Sequence, residues 1–254
     1  MADLVAEVET TEWLTPHLVR IVFGGPELAA FGRSEFTDAY VKAVFPTPDG
    51  PVARRYSVRR WDSGTGQLTI DFVVHGDEGV AGPWAAAAQP GDRITVAGPA
   101  GGYRPAADAD WYLMVGDESA LPAITASLEQ IPAGRMAIAL LVCDTAADEV
   151  PLTSPGRLDV RWLHRGGAAD PESLLPAAVR QLQFPAGAVS AFVHGEAGEV
   201  REVRRHLLAE RGVPRSALSA SGYWRRTLTD EAWRQVKREW SAAQEADVPA
   251  EPAA

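Results

Sequence analysis

The chain has 254 residues, 46% of them hydrophobic and 23% charged, a composition typical of a soluble globular protein that buries a core without cross-links. Its net charge of −10 argues against nonspecific nucleic-acid binding, and no apolar run approaches the roughly 20 residues that span a bilayer. A single cysteine, Cys143, excludes an internal disulfide and any cysteine-rich iron–sulfur or zinc site.

The first hundred residues predict short strands. Residues 1–7 lack a basic flank followed by an apolar core, so no secretory signal is expected and the cytoplasm is the predicted location. Alternating or β-branched apolar residues, separated by Gly- and Pro-rich turns, predict strands at 4–10, 17–23, 39–45, 53–61, 67–75 and 93–97. Six short strands with this spacing indicate a small antiparallel barrel, with a loop and short helix before Gln89.

From Trp111 onward, predicted strands alternate with predicted helices. The strands are 111–115, 137–142, 158–163, 188–194 and 217–220, and the helices are 120–130, 172–182, 199–211 and 230–242. This alternation is typical of a parallel sheet wrapped by helices. We therefore predict two domains: an N-terminal six-stranded antiparallel β-barrel (1–103) and a C-terminal α/β domain with a mostly parallel sheet (104–243). A disordered tail is predicted for 244–254.

The segment from Arg54 to Arg59 is the candidate cofactor contact. Side chains alternate between the two faces of a strand, so Arg54, Tyr56 and Val58 share one face while Arg55, Ser57 and Arg59 share the other. An aromatic ring, a hydroxyl and cationic side chains suit a flavin nucleotide. The alternative is an ordinary edge strand with a solvated arginine face and a core tyrosine.

Charge is unevenly distributed along the chain. Between residues 201 and 240, ten Lys or Arg stand against five Asp or Glu, a local excess of +5. A basic sector on an acidic protein favours an anionic small-molecule ligand, whereas an arginine-rich helix face exposed to solvent is the alternative.

Eight motifs between residues 4 and 240 resemble, in this order, those of the siderophore-interacting proteins. They are RRYSVR (54–59), DFVVHG (71–76), WAAAAQPGD (84–92), GPAGGY (98–103), GDESALPAI (116–124), WLHR (162–165), HGEAGEVREVRRHLLAERG (194–212) and GYWRR (222–226). That family comprises FAD-dependent ferric-siderophore reductases of the ferredoxin-NADP reductase superfamily. The resemblance implies a barrel that binds FAD, followed by an α/β domain.

The resemblance also implies which residues bind FAD. They are Arg54, Tyr56, Ser57, Val58, Asp71, Val73, His75, Gly82, Pro83, Trp84, Ala85 and Ser119. Taken alone, His75 would be read as a core histidine; its place in DFVVHG favours the flavin site. The chain departs from the family pattern at 79–82, which lacks an expected proline and hydroxyl, at Ser119, where threonine is usual, and at Thr227, where glycine is common.

The resemblance further implies a nicotinamide site in the second domain, where strands end and helices begin, the place at which open α/β sheets bind ligands. The candidates are Asp117, Glu118, His194, Gly195 and Glu196, although G-x-G-x-x-G is absent from the sequence. Glu196 would repel a phosphate, so we expect it to cap the following helix. NADPH, NADH and reduced ferredoxin all remain possible electron donors.

Lys42, Arg225 and Arg226 are the predicted substrate contacts. Lys42 lies in an otherwise apolar strand, and the two arginines follow the final strand. Alternatively, Lys42 lies on the outer barrel face, Trp224 packs the last helix and the arginines lie in water.

The resemblance implies reduction of Fe(III) in a siderophore to Fe(II). It implies FAD as cofactor, a ferric siderophore and possibly ferredoxin as partners, and no resident metal; we expect no nucleic-acid or membrane partner, and a monomer. Two alternatives stay open: a general NAD(P)H-flavin reductase with another acceptor, and a non-catalytic protein that binds FAD or a ferric chelate.

Overall fold

The computed structural model describes residues 3–76 and 79–248, and its first six strands close into a barrel. The strands are β1 Leu4–Thr15, β2 Leu18–Gly24, β3 Tyr40–Phe45, β4 Val52–Asp62, β5 Gln67–Val73 and β6 Arg93–Ala100. Every neighbouring pair is antiparallel, in the order β1-β2-β5-β4-β3-β6. The predicted six-stranded antiparallel barrel is confirmed.

Aromatic rings fill the barrel. Phe23, Phe45 and Phe72 are fully buried, and the Phe72 ring centroid lies 6.3 Å from each of the other two. Helix α1 (Ala81–Ala87) packs against the barrel, with the Trp84 ring 5.3 Å from that of Phe45. This core supports β4 from inside.

The second sheet is wholly parallel. Its strands are β7 Trp111–Asp117, β8 Met136–Cys143, β9 Arg157–His164, β10 Val189–Glu196 and β11 Leu218–Trp224, in the order β11-β10-β7-β8-β9. The helices are α2 Leu121–Leu128, α3 Leu174–Gln181, α4 Ala197–Arg205, which continues as a π turn His206–Glu210, and α5 Asp230–Ala246. Every residue of β7 is buried, as expected for a parallel strand covered on both faces. The predicted α/β architecture is confirmed.

Buried and half-buried polar contacts join the barrel to the α/β region. Ser127 donates its hydroxyl hydrogen to Thr37 Oγ1 at 2.7 Å, and His17 Nδ1 lies 2.7 Å from Asp148 Oδ1. These two contacts lie at different points of the junction between the barrel and the α/β region.

The predicted tail begins too early. Helix α5 continues to Ala246, and Arg204 donates to the carbonyl of Gln244 at 2.6 Å and to Glu245 Oε1 at 2.7 Å, while Arg201 pairs with Asp247. The arginines of α4 supply the partners that residues 244–247 lack by themselves, so composition alone missed this packing. Residues 249–254 lie outside the described residues. Part of the basic sector therefore holds α5.

Every helix within 3–76 and 79–248 is too short or too polar to traverse a bilayer.

Candidate flavin site and interdomain crevice

Strands β4 and β5 separate at the segment that carries the candidate cofactor residues. Their pairing register runs from Asp62 opposite Gln67 to Val58 opposite Ile70 and ends there. Arg54 to Ser57 pair with β3 on the other side. Because an unpaired strand edge presents backbone polar groups as well as side chains, this gap suits an elongated ligand.

Tyr56 lines the gap with an aromatic surface. Its ring centroid lies 4.5 Å from that of Phe72 and 6.2 Å from that of Phe45. Burial raises the pKa of the Tyr56 phenol well above its ordinary value, so the ring is neutral near neutral pH. A neutral ring braced from behind by two phenylalanines is a rigid stacking surface.

Helix α1 borders the same gap and lies close to β5. A Cβ added at Gly82 would lie 3.3 Å from the carbonyl oxygen of Val73, so glycine allows this approach. Ala81 and Gly82 are in the first turn, where backbone N–H groups have no partner within the helix, while Pro83 has no N–H to offer. Ala85 is buried in the barrel core.

Arg54 and Ser57 both contact elements from the C-terminal part of the chain. Arg54 Nε lies 3.3 Å from Asp230 Oδ2, and its Nη2 pairs with Glu231. Ser57 lies near the phenol of Tyr223, a half-buried side chain whose pKa is raised by burial. Val58 is buried, and its N–H donates to the carbonyl of Ala39 at 2.6 Å.

The other flavin candidates have different surroundings. Asp71 is held by Arg20 through contacts of 2.7 and 2.8 Å, and Val73 packs against the α/β core. His75 is exposed after β5, and Ser119 donates to Asp117 Oδ1 at 2.5 Å.

The gap itself therefore combines Arg54, Tyr56 and the start of α1. A cation, an aromatic face and free N–H groups fit the phosphates and ring of FAD.

Asp117 ties together three strand ends of the second sheet. Its Oδ1 accepts from Ser119 N at 2.9 Å, and its Oδ2 accepts from Glu196 N and from Trp224 Nε1, each at 2.8 Å. The indole therefore holds Trp224 to the end of β7. The tryptophan that packs helix α5 is Trp233, which is buried beside Trp240 of the same helix.

Glu196 caps α4, as predicted. One oxygen accepts from Gly198 N at 2.6 Å and from Glu199 N at 3.0 Å, and the other accepts from Arg225 Nη1 and Arg226 N at 3.1 Å. This carboxylate occupies the N-terminus of α4, where a phosphate would otherwise find free N–H groups.

The remaining nicotinamide candidates differ in accessibility. Glu118 forms a bidentate pair with Arg165 at 2.7 and 2.8 Å. His194 is 4% exposed, stacks on Phe192 with ring centroids 3.7 Å apart, and lies 2.9 Å from Ser219 Oγ through Nε2. Burial lowers the pKa of His194 to about 3, so its imidazole is neutral. His194 is thus packed in the sheet core.

Arg225 and Arg226 are already paired with acidic side chains of the protein. Arg225 pairs with Glu196 at 3.1 Å, and Arg226 pairs with Glu199 at 2.9 Å and with Glu172 at 3.1 Å. Sequence reasoning missed these pairs because the acids come from three separate places: the end of β10, helix α4, and the 3-10 turn before α3.

Lys42 instead has cationic neighbours that sequence reasoning missed. It lies directly opposite Arg55 in the β3–β4 register, so both exposed side chains project from the same outer face. Burial, with Arg55 nearby, holds the pKa of Lys237 in α5 below its ordinary value. None of the three forms an ion pair with a carboxylate in the described part of the chain. Lys237 is the only other lysine in the sequence, and this rarity is the sequence feature that could have pointed to it.

Comparisons with known proteins agree with this geometry. The family model for siderophore-interacting proteins matches residues 109–227, and that for the siderophore-interacting FAD-binding domain matches 7–52 and 47–103. The crystal structure of a siderophore utilization protein from T. fusca superimposes with a TM-score of 0.82 at 37% identity, covering 90% of this chain and 95% of that one.

Two sequence relatives extend the comparison. An uncharacterized protein of Mycobacterium tuberculosis is 40% identical over 94% of this chain and 95% of its own length. Ferric vibriobactin reductase of Vibrio cholerae is 32% identical over 89% of this chain and 90% of its own length. On these matches, the chain belongs to the siderophore-interacting protein family.

Proposed function

We propose that this protein is an FAD-dependent reductase that converts Fe(III) in an anionic siderophore to Fe(II). The observation that carries the proposal is a set of cations without an ion-pair partner among the described residues: Lys42 and Arg55 on the outer face of β3 and β4, and Lys237 nearby on α5. Strand β4 also borders the flavin gap. Membership of a family that includes a named ferric-siderophore reductase supports the reaction class.

Residues of the gap would hold the cofactor. Arg54 would neutralise phosphate through its fork of N–H donors, Tyr56 would stack on the flavin ring, and the first N–H groups of α1 would contact the pyrophosphate. Bound FAD would supply the redox chemistry, because a flavin accepts two electrons together and passes them on singly.

The cationic set would capture the substrate. Positive charge in a crevice raises the encounter rate of an anionic ligand, and such attraction is screened by salt. The three cations would thereby keep an anionic ferric chelate beside the barrel face of the crevice, within reach of the flavin. The iron is substrate, and its release follows from the weaker hold of hard oxygen ligands on Fe(II).

The strand ends of the second sheet bear on the identity of the electron donor. Asp117 and Glu118 end a strand at the edge where nucleotides bind in open α/β sheets, which supports a nicotinamide donor. Glu196 already caps α4, so a dinucleotide phosphate would need other contacts. We therefore propose NADPH or NADH, with reduced ferredoxin as the alternative.

Anaerobic mixing of the FAD-loaded protein with each donor, then with a ferric siderophore, tests the proposal. Flavin absorbance should bleach with one donor and recover on adding the siderophore, while a chromogenic chelator traps Fe(II). Recovery with artificial acceptors but no Fe(II) would identify a general flavin reductase. Chelate binding without any flavin turnover would identify a binding protein.

A further inference from the structure

The guanidinium of Arg54 is shared with acidic residues of α5. Asp230 Oδ2 lies 3.3 Å from its Nε, Glu231 Oε1 pairs with its Nη2, and its Nη1 donates to the carbonyl of Ala53 at 3.1 Å. The Arg54 side chain is only 12% exposed, whereas those of Asp230 and Glu231 are 40% and 58% exposed. All three nitrogens of the guanidinium therefore have protein partners.

The first turn of α5 is docked on β4 by further contacts. Arg234 also donates to the carbonyl of Ala53 at 3.1 Å and lies 3.6 Å from Asp230. The side chain of Thr229 accepts from Ala232 N at 3.2 Å and caps the helix. Two acids in the first turn are placed as the helix dipole favours, and their charges face β4.

The chain just before this turn is strained. Thr227 has φ of +68°, a left-handed conformation that is uncommon for a β-branched residue. Arg225 and Arg226 are anchored on one side of it by Glu196 and Glu199. A strained backbone conformation persists only where surrounding contacts hold it in place. The position of the first turn of α5 therefore depends on the contacts that this turn makes with β4.

We propose that Asp230 and Glu231 compete with the cofactor phosphate for Arg54, and so set the affinity for FAD. This inference rests on the proposed flavin site. A guanidinium binds carboxylate and phosphate through the same N–H edges, so the two acids occupy donors that the phosphate needs. FAD binding therefore releases the first turn of α5 from β4, and docking of that turn weakens FAD binding by the same factor.

Flavin titration of the full-length chain, stripped of flavin and refilled, tests the competition by fluorescence quenching. Asp230→Asn/Glu231→Gln should bind FAD about tenfold more tightly at low salt, which corresponds to about 1.4 kcal/mol. Glu231→Gln alone, at an exposed side chain, should give part of the gain without risk to folding. Glu239→Gln, an exposed glutamate later in the same helix, should leave the affinity unchanged.

A second measurement separates competition from a general charge effect. In an Arg54→Ala background, Asp230→Asn/Glu231→Gln should no longer tighten FAD binding, since the shared partner is gone. Hydrogen exchange of amides 229–234 should become faster as FAD is added to the wild-type chain.

The two possible failures are distinguishable. If the wild-type chain does not bind FAD, the proposed function fails, and this inference with it. If it binds FAD but the double variant binds equally or more weakly, or amides 229–234 become more protected, only the competition is overturned.

Discussion

The backbone of Gly195 lies directly against the carboxylate of Asp117. A Cβ at residue 195 would lie 2.6 Å from Asp117 Oδ2, and Gly195 has φ of +140°. The same carboxylate oxygen accepts from Glu196 N and from the indole of Trp224. A glycine therefore allows the carboxyl ends of β7, β10 and β11 to converge on one acceptor.

Gly195→Ala should destabilise the fold by about 2 to 4 kcal/mol, because the methyl group displaces Asp117 and the backbone angle is strained. Urea unfolding followed by tryptophan fluorescence measures this. Gly102→Ala is the matched control, because no atom lies within 4 Å of an added Cβ there. Equal stability of the two variants would contradict the close approach.

Thr227→Gly should stabilise the protein by about 1 kcal/mol, because glycine adopts a positive φ without a steric penalty. Thermal unfolding should show a higher midpoint. Thr229→Gly, two residues later, removes a helix-capping hydroxyl and should not raise the midpoint. A lower midpoint for Thr227→Gly would show that the threonine makes a compensating contact.

Because of Glu199, the free energy of unfolding should fall as pH rises. Burial, then the nearby Asp117, raises the pKa of Glu199 to about 8 from an ordinary value of 4.5. The folded protein therefore holds a proton that the unfolded chain loses, so this contribution is complete below about pH 4.5 and is lost progressively towards pH 8. This contribution to the free energy of unfolding amounts to no more than about 5 kcal/mol, at about 1.4 kcal/mol per pKa unit.

Glu199→Gln should remove this slope, which urea unfolding between pH 5 and pH 8.5 measures. Glu202→Gln, an exposed position on the same helix, is the control and should keep the wild-type slope. An unchanged slope in Glu199→Gln would place the titrating group elsewhere.

Arg54→Ala/Tyr56→Ala should abolish FAD binding while the fold persists. Loss of a phosphate contact and a stacking surface should remove roughly 3 to 5 kcal/mol of binding free energy. Flavin absorbance after gel filtration measures retention, and circular dichroism checks the fold. Retention of FAD by a folded double variant would contradict the gap as the flavin site.

Lys42→Ala/Arg55→Ala should raise KM for an anionic ferric siderophore by about three- to tenfold at low salt, equivalent to roughly 0.7 to 1.4 kcal/mol. Flavin reduction by the donor should change little, and the dependence of KM on salt should weaken. Arg238→Ala, which removes an exposed cation on α5, is the control for loss of a surface charge elsewhere and should leave KM unchanged. An unchanged KM for both anionic and neutral chelates would exclude this substrate face.

Local patterns predicted the elements and the fold class well. Alternation along 53–61 and 67–75 predicted paired strands, and alternating strands and helices after Trp111 predicted the parallel sheet. Glu196 was predicted to cap α4 because its carboxylate would repel a phosphate, and it caps that helix in the structure. These features depend on near neighbours in the chain.

Partners of charged side chains were decided by tertiary structure. Arg225 and Arg226 follow the last strand as predicted, yet each already has an acidic partner, drawn from Glu172, Glu196 and Glu199. Lys42 is a substrate candidate from sequence alone, whereas Arg55 and Lys237 become its neighbours only through strand register and the packing of α5.

The sequence by itself determined the barrel, the parallel sheet and the segment of β4 that carries the cofactor candidates, because hydrophobic period and turn residues act over a few positions. Only the tertiary structure decided which cations stay unpaired and which acids reach Arg54. Ion pairing depends on distance in space, and Arg54 and Glu231 are 177 residues apart in the chain.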